Sequence, residues 1–311
     1  MLRQRFLQMK RRITTLLVFM FLLALPLQSM AATVVLVLSE SGKVYQDFAQ
    51  TFSESLQRSA ATHRLIITDL GQLSKSTFPE AGLLVAAGSR AAEAVVEKGH
   101  TAPILLSMIP RALYDRLKPQ HARMGGVFID QPSSRYAGLV KTALPDHDMI
   151  GLLSGRDSKE SVARLLGAAR DLRLRARSEN VTDEAEIFPA MQKLFADGGV
   201  LLATPDTSVF NARTLPSILL SAFHRKVPVV GFSPAYVSAG AVLALYSSPE
   251  QLAQQTADIA RAVLSGAGMP AAQYPRNFTV SINERVARSM GLTLDNATSI
   301  RERLERMERQ P

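Results

Sequence analysis

The sequence predicts an α/β protein of two lobes, each built on a parallel sheet. Three observations predict it. Short apolar runs rich in β-branched residues recur along the 311 residues, bounded by polar turns; this is the pattern of strands buried on both faces. Segments with apolar residues at helical spacing alternate with those runs, so strand–helix–strand units with right-handed crossovers follow. Successive runs also end in small polar residues where the next helix begins, and ligands sit at the carboxyl ends of parallel strands. A composition of 47% apolar and 20% charged residues permits a sizeable core. The length suits two lobes of ordinary domain size.

The first 31 residues read as a secretory signal peptide. Arg3, Arg5, Lys10, Arg11 and Arg12 open it, residues 16–25 are apolar, Pro26 breaks the helix, and Ser29-Met30-Ala31 supplies a cleavage site. The apolar core is about half the ~20 residues that span a bilayer. Subtracting those five cations from the formal charge of +9 leaves +4 for the remainder, so the basic balance is no argument for nucleic acid. The chain has no cysteine, which excludes disulfides, thiol catalysis and a lipid-modified amino-terminal cysteine. The expected destination is a bacterial periplasm.

Residues 33–38 form the first strand, ending at Ser39-Glu40-Ser41-Gly42. Val44, Phe48, Phe52 and Leu56 then recur at helical spacing. Residues 64–68 and 82–87 are the next strands; the latter runs into Gly88-Ser89-Arg90 and a helix closed by Gly99. Residues 103–107 make a fourth strand, followed by Met108-Ile109-Pro110, and residues 125–129 a fifth. Asp130-Gln131-Pro132 marks a boundary, and Ser133 or Ser134 starts a helix through Leu144.

The second unit repeats the pattern. Residues 149–153 form a strand ending at Ser154-Gly155-Arg156, and residues 158–170 a helix. Residues 172–177 alternate as a half-exposed strand, and residues 184–196 form a helix. Three apolar runs follow: 200–203 before Thr204-Pro205-Asp206-Thr207, 227–231 before Phe232-Ser233, and 241–246 ending at Tyr246. Ser248-Pro249-Glu250 begins a helix to Leu264, with Ser248 as N-cap. Residues 277–282 alternate as a strand, and Asn283 caps a short helix to Met290. The charged tail carries Ile300, Leu304 and Met307 at helical spacing and reads as a solvated terminal helix.

Catalytic signatures are missing. There is no G-x-S-x-G, phosphate-binding loop or His-Glu-x-x-His. The five histidines lack ligand spacing, and Asp146 and Asp148 read as turn formers. No enzymatic activity, metal or cofactor is expected. What remains is a set of polar strand tips: Ser39, Glu40, Ser41, Gly88, Ser89, Ser107 and Met108 in the first unit, then Ser154, Gly155, Thr204, Asp206, Thr207, Ser233 and Tyr246. Helix N-termini beside these tips suit an anion, hydroxyls donate or accept, and Asp206 can accept from an ammonium or a hydroxyl. Each Ser, Thr or Asp taken singly is as well read as a helix cap.

The sequence resembles the type I periplasmic substrate-binding proteins of ABC transporters, in the branch associated with aromatic amino acids and related small molecules. The resemblance is carried by residues 202–207 (LATPDT), 227–233 (VPVVGFS), 237–241 (VSAGA) and 278–283 (FTVSIN), ahead of Ala287 and Met290-Gly291. It implies two Rossmann-like α/β lobes with parallel sheets joined by a three-strand hinge, with crossings near Asp130, Val237 and Gln273. The first lobe would take residues 32–130 plus 238–272, the second 131–237 plus 273–292, and residues 293–311 would be the tail. Asp206 would then match a ligand-contacting position, and Ser89 one that receives a ligand carboxylate. Residues 199–250 become one wall of the cleft plus the strap joining it to the other lobe.

The expected function is capture of a small polar or zwitterionic ligand, such as an amino acid or aromatic acid, for an ABC permease. The expected form is a monomer without nucleic-acid partners. The alternative keeps the fold but pairs it with another membrane receptor or sensor.

Overall fold

The computed structural model describes residues 32–58, 63–75, 78, 80–156, 158–196 and 198–309. The expected signal peptide lies outside them. The first sheet contains β1 (Thr33–Leu38), β2 (Arg64–Asp69), β3 (Ala81–Ala87), β4 (Ile104–Ile109) and β5 (Met124–Phe128), all parallel in the order β2-β1-β3-β4-β5. Helices α1 (Lys43–Leu56), α2 (Leu70–Lys75), α3 (Ser89–Glu97) and α4 (Arg111–Leu117) connect these strands. Every residue of β4 is buried, whereas edge strand β2 buries only Thr68. The continuous apolar run of one and the mixed pattern of the other follow from those positions.

The second sheet holds β6 (Met149–Ser154), β7 (Arg175–Asn180), β8 (Val200–Leu202), β9 (Val229–Gly231), β10 (Leu243–Tyr246) and β11 (Thr279–Ile282) in the order β11-β10-β9-β8-β6-β7. Only the β10–β11 pair is antiparallel. The helices are α5 (Ser133–Ala143), α6 (Lys159–Asp171), α7 (Ile187–Leu194), α8 (Leu215–His224), α9 (Pro234–Ala239), α10 (Pro249–Leu264), α11 (Glu284–Ser289) and α12 (Ala297–Arg309). Helix α10 belongs with the first sheet: Leu252, Ala253, Ala257 and Ala260 share a core with Val34, Phe48, Phe52 and Leu105.

Three expectations are corrected. The second crossing does not fall near Val237. Gly240 takes φ +122 after the short α9, Val242 N–H donates to Val229 O, and β10 pairs with β9 inside the second sheet. A one-and-a-half-turn helix ended by a glycine returns the chain to the same sheet, so the strap to the first lobe starts only after Tyr246. Strand β7 begins at Arg175, not at 172, because Arg173 (φ +61) and a Leu174 N–H to Ala169 O bond close α6 first. Finally, α12 is docked rather than solvated. Ile300 and Leu304 are buried in one core with Tyr136, Leu139, Val140 and Phe278.

The other two crossings lie at residues 129–132 and 273–278. Gln273 N–H donates to Gly126 O and Phe128 N–H to Gln273 O, so the returning chain pairs with the free edge of β5. Two caps fall where the residue types place them. Ser248 and Gln251 form a reciprocal capping box on α10, and Asn283 Oδ1 accepts from Val286 N–H on α11. Among the described residues, no helix is long and apolar enough to cross a membrane.

Candidate functional site

Two crossings leave from the carboxyl ends of β5 and β10. In a parallel sheet all carboxyl ends lie on one edge. The crossings therefore leave from the carboxyl edges of the two sheets, the edges at which the polar strand tips end.

On the first-lobe edge, Ser39 Oγ accepts from Ala91 N–H at 2.9 Å and hydrogen-bonds Tyr45. It thus satisfies one of the free donors that open α3. Gly88 holds φ +91, and a Cβ there would lie 2.5 Å from Ser39 Oγ and 2.6 Å from the Tyr45 hydroxyl. Burial raises the Tyr45 pKa, and Glu40 adds to the rise. Ser89 is the first residue of α3 and is half-buried. Glu40 is exposed, 3.9 Å from Arg90, and the Ser41 carbonyl accepts from Gln46 Nε2.

Two first-lobe candidates have a different role from the one expected. Ser107 is fully buried, and its hydroxyl meets Thr256 Oγ1 at 2.8 Å, joining β4 to α10. Met108 (φ +56) sits where the β4–β5 register shifts and packs into the core. A bulge at the end of β4 turns Met108 inward, and α10 covers Ser107.

On the second-lobe edge, Asp206 is 1% exposed. Its Oδ1 accepts from Ser208 N–H at 3.0 Å and from Ser208 Oγ at 2.5 Å. A Cβ on Gly155 would lie 2.6 Å from Asp206 Oδ2, and Gly155 N–H donates to Ser158 Oγ. Asp206 thus caps its own turn and interlocks it with the loop after β6, a structural use of the group expected to hold ligand. Ser154 is buried, and its carbonyl accepts from Val181 N–H. Thr207 is exposed, and its carbonyl accepts from Asn211 Nδ2. Ser233 precedes α9 without a side-chain capping bond. Tyr246 is tied to Ser281 by a hydroxyl pair 2.9 Å apart.

Thr204 is the exception. It is 1% exposed, and its Oγ1 has no hydrogen-bond partner among the described residues. It lines a cavity of about 40 Å³ with Asp130, Ser133, Tyr136, Arg164 and Tyr274. These residues come from the first crossing, α5, α6, the end of β8 and the third crossing. Asp130 Oδ2 accepts from Arg111 N–H at 2.7 Å. Burial raises the Asp130 pKa, although that hydrogen bond and the charges of Arg164 and Arg111 oppose it. Arg111 donates to the Tyr274 hydroxyl and lies over its ring, while Arg164 pairs with Glu160 at 3.6 Å.

Sequence reasoning passed over Asp130, Tyr136, Arg164 and Tyr274. Asp130 carried the only signal, an acid at a lobe boundary just before a helix, and it read as a boundary alone. Tyr136 and Arg164 sit on helix faces that look like core and surface.

The crossings are tied to one another. Gln131 Nε2 donates to Ser247 Oγ at 2.8 Å, and Ser247 Oγ donates to Asn277 O at 2.6 Å. Arg135 donates to Gln131 Oε1 and Pro275 O, lies 4.2 Å over the Phe278 ring, and forms a two-bond pair with Glu308 of α12.

A family model described as "ABC transporter substrate binding protein" matches residues 57–303. None of the curated proteins matches the chain. Solved structures do. A conserved domain protein from Vibrio cholerae is 20% identical, with 87% of this chain and 98% of that chain covered and a TM-score of 0.61. An ABC domain in complex with L-Trp from Streptococcus pneumoniae is 16% identical, with 88% and 98% covered and a TM-score of 0.61. The ligand-free, open structure of CD0873, a substrate-binding protein with adhesive properties from Clostridium difficile, is 15% identical, with 85% and 96% covered and a TM-score of 0.68.

Proposed function

The chain belongs to the ABC transporter substrate-binding protein family, and from that premise we propose that it captures a small polar or zwitterionic ligand between its lobes for an ABC-type uptake system. The fold is that of the type I periplasmic binding proteins. The observation that carries the reading is the Thr204 hydroxyl, buried without a hydrogen-bond partner among the described residues in a cavity bounded by two of the three lobe crossings. A buried polar atom without a partner is costly unless something else satisfies it. The cavity is lined by the first and third crossings and by α5, α6 and the end of β8, and carboxyl ends of parallel strands are where ligands sit in such folds.

The capture works by lobe closure. Ligand contacts from both lobes exist together only when the lobes approach, so ligand favours the closed state. A periplasmic location and a membrane permease as reader of the closed form belong to this reading. Aromatic amino acids head the ligand candidates, since residues 202–207 and 227–233 resemble that branch and the pneumococcal protein is described with L-Trp.

A thermal-shift screen of the purified protein with amino acids, nucleosides, sugars and small aromatic acids tests it. A ligand that binds the native state raises the midpoint with concentration. If no compound in these classes shifts the midpoint at millimolar concentration, the reading is overturned.

A further inference from the structure

We infer that the flank of the first lobe carries a separate ligand site, a groove that takes an anionic aromatic molecule. The groove lies outside the interlobe cavity and shares only Tyr274 with its lining. It holds about 630 Å³, within the ~300–1,000 Å³ of small-molecule sites. One wall is α4 and the turn after it. The other is the segment 268–274, which runs parallel to β5 and into the third crossing. A glycine permits that approach: a Cβ on Gly125 would lie 2.7 Å from Pro270 O. Met124 and Phe128, at the two ends of β5, share one face of the strand and line the groove, which gives it a length of roughly 13 Å at ~3.3 Å per residue.

Charge selects an anion. Arg111, Lys118 and Arg123 line the groove with one acid, Asp115, which lies 3.4 Å from Arg111 Nε. Lys118 and Arg123 have no carboxylate partner among the described residues. Lys118 Nζ donates to Met124 O at 2.8 Å and to Ala122 O, and Arg123 donates to Thr101 O. Those carbonyls position the cations without neutralising them, and the Lys118 ammonium keeps a third donor for a ligand. The imbalance extends beyond the lining. Residues 98–129, which supply one wall and the floor, contain five Lys or Arg and one acid; residues 259–283, which supply the other wall, contain two Arg and no acid. Glu93 of α3 and Asp258 of α10 are held by Arg116 and by Arg261 and Arg276. A cation would meet Lys118 and Arg123 with like charge. The rest of the lining sets the body of the ligand. Phe128 stands edge-on to Tyr114 and to Tyr274, with ring centroids 5.5 and 5.2 Å away, and Met124 and Met269 complete the apolar surface. Rings and polarisable sulfur suit a flat aromatic body.

Methionine-methyl NMR on the purified protein tests it, with 2-naphthoate and its uncharged amide as probes. Met124 and Met269 line the groove, whereas Met149, Met191 and Met290 lie in second-lobe cores and serve as references. Millimolar 2-naphthoate is expected to shift the Met124 and Met269 methyls saturably, and the amide to bind at least about tenfold more weakly. That difference should shrink as added salt shortens the Debye length from ~10 Å at 0.1 M. Lys118→Gln combined with Arg123→Gln should weaken 2-naphthoate about tenfold or more and leave the amide unchanged. Ala271 is exposed and lines the groove, so Ala271→Trp fills it without removing a charge or a side-chain hydrogen bond. That variant should abolish both shifts, and it decides the matter even if the double variant does not fold. Equal binding of acid and amide, undiminished binding by Ala271→Trp, or silent Met124 and Met269 methyls overturns the inference. Each of those results leaves ligand capture between the lobes standing, because the groove does not depend on that reading.

Discussion

What a carboxylate can do depends on what already surrounds it. Asp206 follows a strand of the second lobe and has the position of a ligand contact, but Ser208 two residues later turns back to satisfy it. Asp206→Ala would leave the Ser208 N–H without its acceptor and open space against Gly155. It should cost about 1–3 kcal/mol, read as a fall in the urea midpoint with unchanged m-value. An unchanged midpoint with lost ligand binding would return Asp206 to the site. Thr204→Val makes the opposite prediction. The hydroxyl has no bond to lose, so stability should hold or rise by up to about 1 kcal/mol, while ligand affinity falls. A clear loss of stability in the ligand-free protein would mean that the hydroxyl has a structural partner. The strand tips were legible because a short apolar run that gives way to small polar residues marks where a buried strand ends. The occupancy of each tip was not, because it depends on contacts such as Ser107 with Thr256, 149 positions away.

Elements were more legible than side chains. The alternation of buried runs and amphipathic helices places nearly every strand, and Ser248-Pro249 and Asn283 mark helix starts that the structure keeps. The failures have local causes: Gly240 returns β10 to its own sheet, and α12 spends its apolar stripe inside the second lobe. Helical spacing of Ile300 and Leu304 shows an apolar face but not what covers it. Here the cover is α5, where Gly138 leaves room for Leu304. Helix α12 also reaches the crossings through Glu308 and the buried Arg135. Glu308→Ala would strip a two-bond partner from a guanidinium that keeps Gln131, Pro275 O and the Phe278 ring. Loss of one partner from a fully buried pair costs about 3–5 kcal/mol; the partial exposure of Glu308 brings the expectation here to about 1–3 kcal/mol. Thermal unfolding in low and high salt checks it. A wild-type contribution erased by 1 M salt would mark the pair as a surface contact.

At the scale of the molecule, two sheets share one chain that passes between them three times, and the passes are joined by side chains rather than packed as a core. Gln131, Ser247 and Asn277 belong to the first, second and third crossings, and the Ser247 hydroxyl accepts from one and donates to another. A lobe motion must pivot on these segments, since hinges are the few residues that absorb backbone rotation between rigid bodies. Ser247 does not line the cavity at the cleft floor. Ser247→Ala therefore alters the pivot and reaches the cavity only through Gln131, which lines it. It removes the acceptor of Gln131 Nε2 and the donor to Asn277 O, so the two lobe arrangements change in relative free energy. Apparent affinity scales with the fraction of molecules in the binding-competent arrangement. Solution scattering should then show a changed radius of gyration for the ligand-free variant and a saturated radius equal to that of wild type, with affinity shifted in the same sense as the closed fraction. An unchanged ligand-free radius and affinity, with only a lower melting midpoint, would show that the three-way tie stabilises the fold without setting the lobe equilibrium.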